Sequence, residues 1–280
     1  VHEVPMVRAS VVNHVAVERK ALTVEPEHAI PGLAERDEQD WLWLPPDDPL
    51  LEDPELERFT ATHLILERMR QAMMLSGPQF LGIQESKSIL SWLEHNQPEL
   101  VQELQRIMPL SRFSAVLQRL ASEGVPLRAV RLIVESLIEY GQHEREPEAL
   151  ADYERIALKA QIYHQYSEAD GLHAWLLSPQ SENILREALR QTQTGVFFAL
   201  DENNSAAFIS LLNQAFVLRA KSKSVMLVAQ DLRSPLRTLL LEEFNHVPVL
   251  SFAELGSTSK VKVLGRIDLG QEALMRGAAA

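Results

Sequence analysis

The sequence predicts an α/β chain of several subdomains, in which an all-helical region precedes a βαβ region. Residues 79–166 repeat apolar side chains at helical spacing between proline and glycine breaks. Residues 172–267 alternate short apolar runs with helical patterns, which is typical of a mixed or parallel sheet covered by helices. Residues 1–78 combine strand-like and helical stretches. The 280 residues are enough for two or three small domains, each with its own core.

The first region contains a predicted strand and a predicted helix. Residues 4–22 are rich in β-branched side chains, which favours a strand. Residues 59–74 follow a helical pattern, with Leu64, Met69 and Met73 among the apolar positions.

An acidic segment, residues 25–57, separates that strand from that helix. It holds twelve acidic residues against one basic residue, Arg36, and therefore carries −11 of the chain's net charge of −12. Its six prolines predict a small, loop-rich insert. Such a charge disfavours nucleic acid and anionic membranes as partners and favours basic or polar proteins. We expect the segment to dock partners rather than to support the fold.

Two tryptophans stand out in the acidic segment. Trp41 and Trp43 alternate in the run WLWLPP, and an extended backbone places both indoles on the same side. Packing onto a small local core and anchoring a docked protein are both open interpretations. The candidate docking residues are Trp41, Trp43, Asp37 and Asp40.

The helical region has clear start and stop signals. Pro98 predicts the start of a helix, Ser111 is placed to cap the next one, Gly124 can end that helix, and Pro126 predicts a further start. The predicted buried faces are Leu100, Val101, Leu104 and Met108, then Phe113, Val116, Leu117 and Leu120, then Val130, Val134 and Leu137.

The C-terminal region reads as alternating strands and helices. Ser178 can cap a helix that Pro179 opens, and further helices are predicted at residues 204–219 and 235–244. The predicted strands are HAWLLS, VFFAL, SVMLVA, VPVLSF and VKVLGRI. We expect VFFAL and SVMLVA to be buried in the sheet. The loop at residues 166–171 is a predicted hinge, because a glycine and solvated acids interrupt two regular regions there.

Composition limits the function classes. Without cysteine the chain has no disulfides and no thiolate metal sites. The sequence has no apolar run near the roughly 18 to 20 residues of a membrane helix and no visible signal peptide. A first residue of Val1 leads us to expect a fragment of a longer protein.

Several separated blocks of the sequence resemble one family. The blocks in the helical region are FLGIQES (80–86), VQELQRIMPLSRFSAVLQRL (101–120) and EGVPLRAVRLIVESL (123–137). Other blocks are ATHL, GVFFALD, SVMLVAQDLRSPLRTLL, VPVLSFAEL and KVKVLGRI. In this order they resemble the large export-gate proteins of type III secretion systems, the family that includes the flagellar export gate. The resemblance covers nearly the whole chain and is closer to the injectisome branch.

The resemblance implies four subdomains. Residues 1–24 and 58–78 would form a split α/β first subdomain, incomplete at its start, and residues 25–57 a small second subdomain inserted into it. Residues 79–166 would be the all-helical third subdomain, and residues 167–280 the C-terminal α/β subdomain. The insert looks shorter than the flagellar one and lacks its phenylalanine-centred motif. The run Leu42–Leu44 matches a short family motif, which favours Trp43 as the core residue and Trp41 as the freer one.

The resemblance also implies a function. The chain would be a non-enzymatic docking platform at the cytoplasmic face of the bacterial inner membrane, assembled as a homo-nonameric ring. Its partners would be chaperone–substrate complexes, a gatekeeper protein, and the other export-apparatus, stalk and ATPase components, and it would set the order of export. No catalytic, cofactor-binding or metal-binding residue is implied.

An arginine-rich helical face is the candidate ring interface. Arg106, Arg112, Arg119, Arg128 and Arg131 are accompanied by one acid, Glu123, between positions 106 and 131. A local charge of +4 beside an acidic segment suits a head-to-tail contact between copies. A solvated basic face is an equally good interpretation.

Two other function classes fit less well. A doubly wound nucleotide-binding enzyme with a helical accessory domain would need a glycine-rich phosphate loop, but DENNSAA and QDLRSP follow the relevant strands. The sequence also lacks GxSxG and HExxH. A helical transcription factor would need a basic chain, and this one is acidic, so we expect no nucleic-acid partner.

Overall fold

The computed structural model describes residues 13–18, 22, 26, 29–31, 41–53, 56, 58–192, 195–216, 223–241, 244 and 247–270. The chain divides into two compact units, residues 1–80 and residues 81–280. The candidate docking residues Asp37 and Asp40 lie outside the described residues.

The first unit contains a four-stranded antiparallel sheet. Its strands are β1 (Val15–Glu18), β2 (Ile30–Pro31), β3 (Trp41–Leu44) and β4 (Arg58–Thr60), in the order β2-β3-β1-β4. Helix α1 (Ala61–Ser76) follows β4, and the Thr60 hydroxyl accepts a hydrogen bond from the His63 N–H at its start. The helix predicted from residue 59 therefore begins two residues later. Met69 and Met73 are exposed on α1.

The acidic segment contributes to this sheet. Strand β3 pairs with β1, Ala16 opposite Trp43, and lies inside the sheet. The local core consists of Val17, Leu42, Leu44, Leu51 and Leu56, four of which belong to residues 25–57. The expectation that this segment does not support the fold is therefore wrong for its described residues, and its role in docking stays a prediction. The acidic composition of the segment did not reveal that four of its leucines meet in a core. The pleat of β3 and the chain that follows β3 bring them together.

The second unit begins with six helices. They are α2 (Ile83–Glu94), α3 (Pro98–Ile107), α4 (Leu110–Ser122), α5 (Val130–Tyr140), α6 (Pro147–Ala157) and α7 (Lys159–Tyr166). The predicted face of α4 is confirmed, because Phe113, Val116, Leu117 and Leu120 are all buried. Pro98 opens α3 as predicted.

One predicted helix end is confirmed, and two predicted helix starts, those of α4 and α5, are corrected. Gly124 has φ 70°, and two hydrogen bonds, Gly124 N–H to Ala121 O and Val125 N–H to Leu120 O, form a Schellman motif. Helix α4 begins at Leu110 rather than after Ser111, since Pro109 takes the extended N-cap position. Helix α5 begins at Val130 rather than at Pro126, because the buried Val125 first turns the chain back onto the core.

The rest of the second unit is a parallel sheet with helices. Its strands are β5 (Leu172–Leu177), β8 (Ser224–Val228), β9 (Val249–Ser251) and β10 (Val261–Ile267), in the order β10-β5-β8-β9. Helices α8 (Pro179–Ala188), α9 (Glu202–Ala215) and α10 (Gln230–Leu240) connect them. Ser178 caps α8 as predicted. The predicted mixed α/β class with a parallel sheet is confirmed, and the four-subdomain division stays a prediction.

Two C-terminal predictions are wrong. The run VFFAL forms β7 (Gly195–Phe198), which pairs antiparallel with β6 (Leu189–Thr192) in a separate hairpin and leaves Val196 and Phe197 exposed. An apolar run alone does not distinguish a buried strand from a hairpin strand. Helix α10 begins at Gln230 and contains Pro235, so this proline does not open the helix.

The predicted hinge at residues 166–171 lies beside a continuous core. The core of α2–α7 includes Leu172, Ala174, Val225, Leu227 and Leu250 from the sheet. A swing of the C-terminal region about this loop would have to open that core. The hinge at residues 166–171 stays a prediction, and the shared core does not favour it.

Candidate interaction surfaces and an internal ion network

Two of the five predicted ring-interface arginines pair with acids on their own helices. Arg106 Nη1 lies 2.9 Å from Glu103 Oε2 on α3, and Arg131 Nε lies 2.7 Å from Glu135 Oε1 on α5. Both pairs are exposed. Their charge is therefore largely satisfied within the helix, although an exposed pair of this kind contributes only about 0.3–0.5 kcal/mol.

Arg119 points into the molecule. Its Nε lies 2.9 Å from Glu123 Oε1, its Nη2 donates to Ser234 Oγ at 2.9 Å, and its side chain is 28% exposed. The two contacts connect α4 to α10. The structure thus places Arg119 at an internal junction and separates it from the exposed arginines with which the sequence grouped it.

Arg112 and Arg128 have no ion-pair partner in the part of the chain that the structure describes. Arg128 is exposed in the turn before α5. Arg112 lines a cavity of about 460 Å³ together with Glu103, Ile107, Gly141, Gln142 and Arg145. The sequence prediction missed Arg145, because it lies beyond the basic stretch and between two glutamates.

The structure describes the side chain of Trp43 but only the backbone of Trp41. Trp43 is 5% exposed and pairs across the sheet with Ala16 and Ile30. The backbone of Trp41 belongs to β3, and its side chain lies outside the described residues. Docking by Trp41, Trp43, Asp37 and Asp40 stays a prediction, and the burial of Trp43 agrees with its expected place in a core.

A buried ion network joins the helices to the sheet. Arg155 of α6 donates from Nη1 to Glu123 Oε2 at 2.9 Å and from Nη2 to Glu254 Oε2 at 2.7 Å. Arg233 of α10 also binds Glu123, and reaches Asp152 of α6. Arg155, Arg233, Glu123 and Glu254 are all buried. The network holds α4, α6, α10 and the turn after β9 in one arrangement.

The charges and the burial of this network determine the pKa of its carboxyl groups. Burial raises the pKa of Glu123, but Arg233, Arg155 and Arg119 outweigh burial and leave the pKa below its ordinary value. For Asp152, which only Arg233 contacts directly, burial prevails and raises the pKa above its ordinary value. Glu123 is therefore ionised in the folded chain and is the centre of the cluster.

The sequence prediction missed this network. The residues that bond to one another in it lie 32 to 110 positions apart and carry no local pattern. Burial and pairing of the charges arise only when α6 and α10 pack against the end of α4.

The acids at the strand ends have structural partners. Asp201 caps α9 by accepting from the Asn204 N–H at 2.8 Å, and Asp231 lies 2.7 Å from Arg186 Nε. These contacts give Asp201 and Asp231 structural roles in the fold.

One group of described side chains has the spacing of a cation site. The ligand atoms of Glu168, Asp170 and His173 lie within 4.8 Å of one another. However, Asp170 is bonded to Lys262 Nζ at 2.9 Å and to His173 Nε2 at 2.8 Å, and these hydrogen bonds lower the pKa of Asp170 to about 2. Lys262 thus already supplies the positive charge at this position. In the described part of the chain, no helix is both long and apolar enough to cross a membrane.

The second unit is a helical layer packed on a parallel sheet, and a buried ion network joins the two. The family profile described as "FHIPEP family" matches residues 1–260, and the chain belongs to this family. This confirms the resemblance to export-gate proteins of type III secretion.

One relative and two solved structures illustrate the similarity. The chain is 57% identical over 271 residues to the hypersensitivity response secretion protein HrpI of Pseudomonas syringae pv. syringae, which covers 96% of this chain and 38% of that protein. It is similar to CdsV in the Chlamydia pneumoniae CdsV and CdsO protein complex, with TM-score 0.74, 28% identity, and coverage of 95% of this chain and 78% of that one. It is also similar to nonameric EPEC SctV-C, with TM-score 0.70, 27% identity, and coverage of 92% and 79%. The chain therefore spans well under half the length of that curated relative.

Proposed function

We propose that this chain is the cytoplasmic domain of a type III secretion export gate and works as a non-enzymatic docking platform. Nine copies form a ring at the cytoplasmic face of the inner membrane. The ring receives chaperone–substrate complexes and a gatekeeper protein and sets the order in which cargo is exported. The other export-apparatus, stalk and ATPase components are further partners.

The observation that carries the proposal is the similarity, over 91% of the chain, to the nonameric EscV cytosolic domain from the type III secretion system. The described surfaces support it, because basic residues lie on the helices while the chain as a whole carries −12. Unlike patches on one chain suit the head-to-tail contact that a closed ring requires. The complex of CdsV with CdsO supports a further protein partner for the same fold.

A ring suits this work physically. Nine weak sites around one entrance raise the effective concentration of each partner, so that no single contact has to be tight. Cargo is then captured by the assembly and released from any one copy.

Light scattering coupled to size-exclusion chromatography tests the proposal. The expected result is a species of about nine times the monomer mass of 31.6 kDa. The fraction of chains in this species should rise with protein concentration. The fraction of chains in this species should fall at high salt, since exposed ion pairs are screened. A monomer at every concentration and salt tested would contradict the ring, and micromolar binding of ATP, GTP or NAD in calorimetry would contradict a platform without enzymatic function.

A further inference from the structure

We propose that the open edge of strand β10 is a docking site for an extended, acidic segment of a partner protein. The segment pairs with β10 through backbone hydrogen bonds and becomes an additional strand of the sheet. The proposal gives the docking platform a site of defined chemistry, and it does not depend on the assembly of copies into a ring.

Strand β10 has an open side. It lies at one edge of the sheet and, among the described strands, pairs with β5 alone. The Lys260 carbonyl accepts a hydrogen bond from the Leu172 N–H at 2.9 Å and therefore faces β5. Because backbone groups alternate in direction along a strand, the N–H and C=O groups of Val261 and Val263 point away from β5. A row of such groups is a template for a further strand, and the seven residues of β10 suit one of ordinary length.

The two faces of β10 carry different side chains at this edge. Val263 stands opposite Ala174 of β5, and Ala174 belongs to the core of α2–α7. Val263 therefore lies on the face that the helices cover, yet its side chain is 51% exposed. The exposed Lys262 lies on the opposite face, because successive side chains alternate. An added strand would meet an apolar side chain on one face and a cation on the other, which fits a segment of alternating apolar and acidic residues.

The edge is basic in an acidic chain. Residues 257–267 contain Lys260, Lys262 and Arg266 and no acid, whereas the whole chain carries −12. Lys262 is bonded to Asp170 at 2.9 Å. Lys260 and Arg266 are exposed and have no ion-pair partner among the described residues. Complementary charge across an interface favours one partner over others, so this edge selects an acidic segment.

The same charges exclude a second copy of β10. Two such strands paired edge to edge would bring lysine and arginine side chains opposite one another, and like charges across a strand pair are destabilising. Lysine on an exposed edge commonly prevents self-pairing in this way. The edge is thus closed to a copy of itself and open to an acidic strand.

The edge is held in place before a partner arrives. The Tyr163 hydroxyl of α7 donates to the Lys260 carbonyl and accepts from the Lys260 N–H, both at 3.1 Å. Farther along, the Trp175 ring packs on Gly265, where a Cβ atom would lie 2.4 Å from Trp175 Cζ3. An ordered edge reduces the conformational entropy lost when a segment binds.

A peptide of defined sequence tests the site. The probe is a fluorescent peptide of about eight residues that alternates glutamate and valine. We expect it to bind the unmodified chain in fluorescence anisotropy and to slow amide hydrogen exchange at Val261 and Val263. One control is the same peptide N-methylated on every residue, which keeps the charges but cannot donate backbone hydrogen bonds. The other is a peptide that alternates lysine and valine. Both controls should bind at least about tenfold more weakly.

Variants of β10 separate the backbone from the charge. Val263→Pro removes a donor that points away from β5, whereas the matched Val263→Thr keeps it. The proline variant should bind the glutamate–valine peptide at least about tenfold more weakly than the threonine variant. Lys260→Glu combined with Arg266→Glu should weaken binding to a similar extent, while Arg128→Glu on the helical layer should change it little. Circular dichroism melts check folding, and the charge variants keep the test decisive if the proline variant does not fold.

The outcomes distinguish this site from the ring. Equal binding of the N-methylated peptide would overturn strand pairing, and equal binding of the lysine–valine peptide would overturn selection by charge. Protection that appears only outside β10 would overturn the site. Protection of β10 that rises with protein concentration, without peptide, would show that a second copy covers the edge and would also overturn it. Binding to β10 by a chain that stays monomeric would support the site while the proposed ring fails, and a ring that binds no peptide would overturn the site alone.

Discussion

Arg155 Nη1 lies 2.9 Å from Glu123 Oε2, and both side chains are only 4% exposed. The pair connects the last turn of α6 to the residue after α4, and Arg233 adds α10 to the same carboxylate. A buried pair of this kind gains little over an apolar substitute, but removing one partner leaves a charge buried and uncompensated. The pair is therefore expected to fix how the helices sit on the sheet of the second unit.

Replacing Arg155 should be costly. Arg155→Ala leaves Glu254 buried without its two strongest hydrogen bonds and leaves Glu123 to the remaining arginines. We expect the free energy of unfolding of the second unit to fall by about 3–5 kcal/mol. Urea unfolding followed by circular dichroism measures it. Arg131→Ala, which removes an exposed pair on α5, is the matched control and should cost no more than about 0.5 kcal/mol; equal costs for the two variants would contradict a structural role of the buried network.

Arg119→Glu should destabilise the fold rather than report on ring contacts. It removes the bond to Ser234 and replaces the guanidinium that now lies 2.9 Å from Glu123 Oε1 with a carboxylate of the same charge as Glu123. Thermal melts should show a clear decrease in Tm for Arg119→Glu and almost none for Arg128→Glu. Equal melting temperatures would return Arg119 to the candidate interface, as the sequence suggested.

These two arginines illustrate what the sequence can predict. The buried face of α4 was predictable because its apolar side chains repeat with the helical period, and the stop at Gly124 because only glycine takes φ 70° readily. Arg119 lies on the same helix, yet its direction is decided by Ser234, 115 positions away. The cavity that Arg112 and Arg145 line was half predictable. Arg112 belonged to an evident basic stretch, whereas Arg145 joins it only through the turn at Gly141.

The acidic segment also shows a limit of prediction from sequence, because some of its residues are buried although its charge predicts exposure. Its charge predicts exposure, and that prediction cannot identify which few leucines alternate inward. The pairing of β3 with β1 depends on a register between strands more than twenty residues apart.

The loop predicted as a hinge should tolerate a proline. Ala169 is the second residue of a turn closed by hydrogen bonds between Glu168 and Gly171, a position where proline is favoured. We expect Ala169→Pro to leave stability unchanged or raise it by about 0.4–1 kcal/mol, measured by urea unfolding. A marked loss of stability would contradict the assignment of Ala169 to this turn position, whereas a change in the radius of gyration of the second unit by small-angle scattering, without loss of stability, would support the hinge.

Gly171 should not tolerate even a methyl group. Its φ is +124°, and a Cβ atom there would lie 2.7 Å from the Lys260 carbonyl oxygen, which accepts the Leu172 N–H beside it. We expect Gly171→Ala to cost about 1–3 kcal/mol. Gly77→Ala is the matched control, because it has right-handed helical dihedrals and nothing within 4 Å. The control should be neutral or slightly stabilising, and a similar cost in both variants would count against the strain at Gly171.

The two tryptophans of β3 should separate docking from folding. Trp43 is buried, so Trp43→Ala should destabilise the first unit by about 3–5 kcal/mol. Trp41→Ala should cost the fold little and, if Trp41 anchors a partner, weaken binding of a cognate chaperone–substrate complex by about 2 kcal/mol. Calorimetric titration and thermal melts of both variants measure the two effects. Unchanged affinity in Trp41→Ala, or a collapsed fold, would remove Trp41 as a docking anchor.

Glu154 should make the stability of the second unit depend on pH. Its side chain is fully buried on α6, neither carboxylate oxygen has a hydrogen-bond partner among the described residues, and the nearby Ser136 hydroxyl is also unpartnered. Burial raises the pKa of Glu154 from 4.5 to about 8, against a smaller lowering by Ser136. The folded chain therefore keeps this proton at neutral pH, whereas the unfolded chain loses it.

The sign of the effect follows from proton binding. Below pH 4.5 both states hold the proton, so the ionisation of Glu154 costs no stability. Between pH 4.5 and about 8 the folded state binds more protons than the unfolded state, so stability falls as pH rises; above about 8 the loss is complete. Glu154→Gln mimics the protonated form, and should raise the free energy of unfolding at pH 8 by up to about 4 kcal/mol while changing it little at pH 5. Urea unfolding at both pH values measures this, with the exposed Glu139→Gln as control. An equal gain at pH 5 and pH 8 would show that the benefit of Glu154→Gln is not the removal of a buried charge.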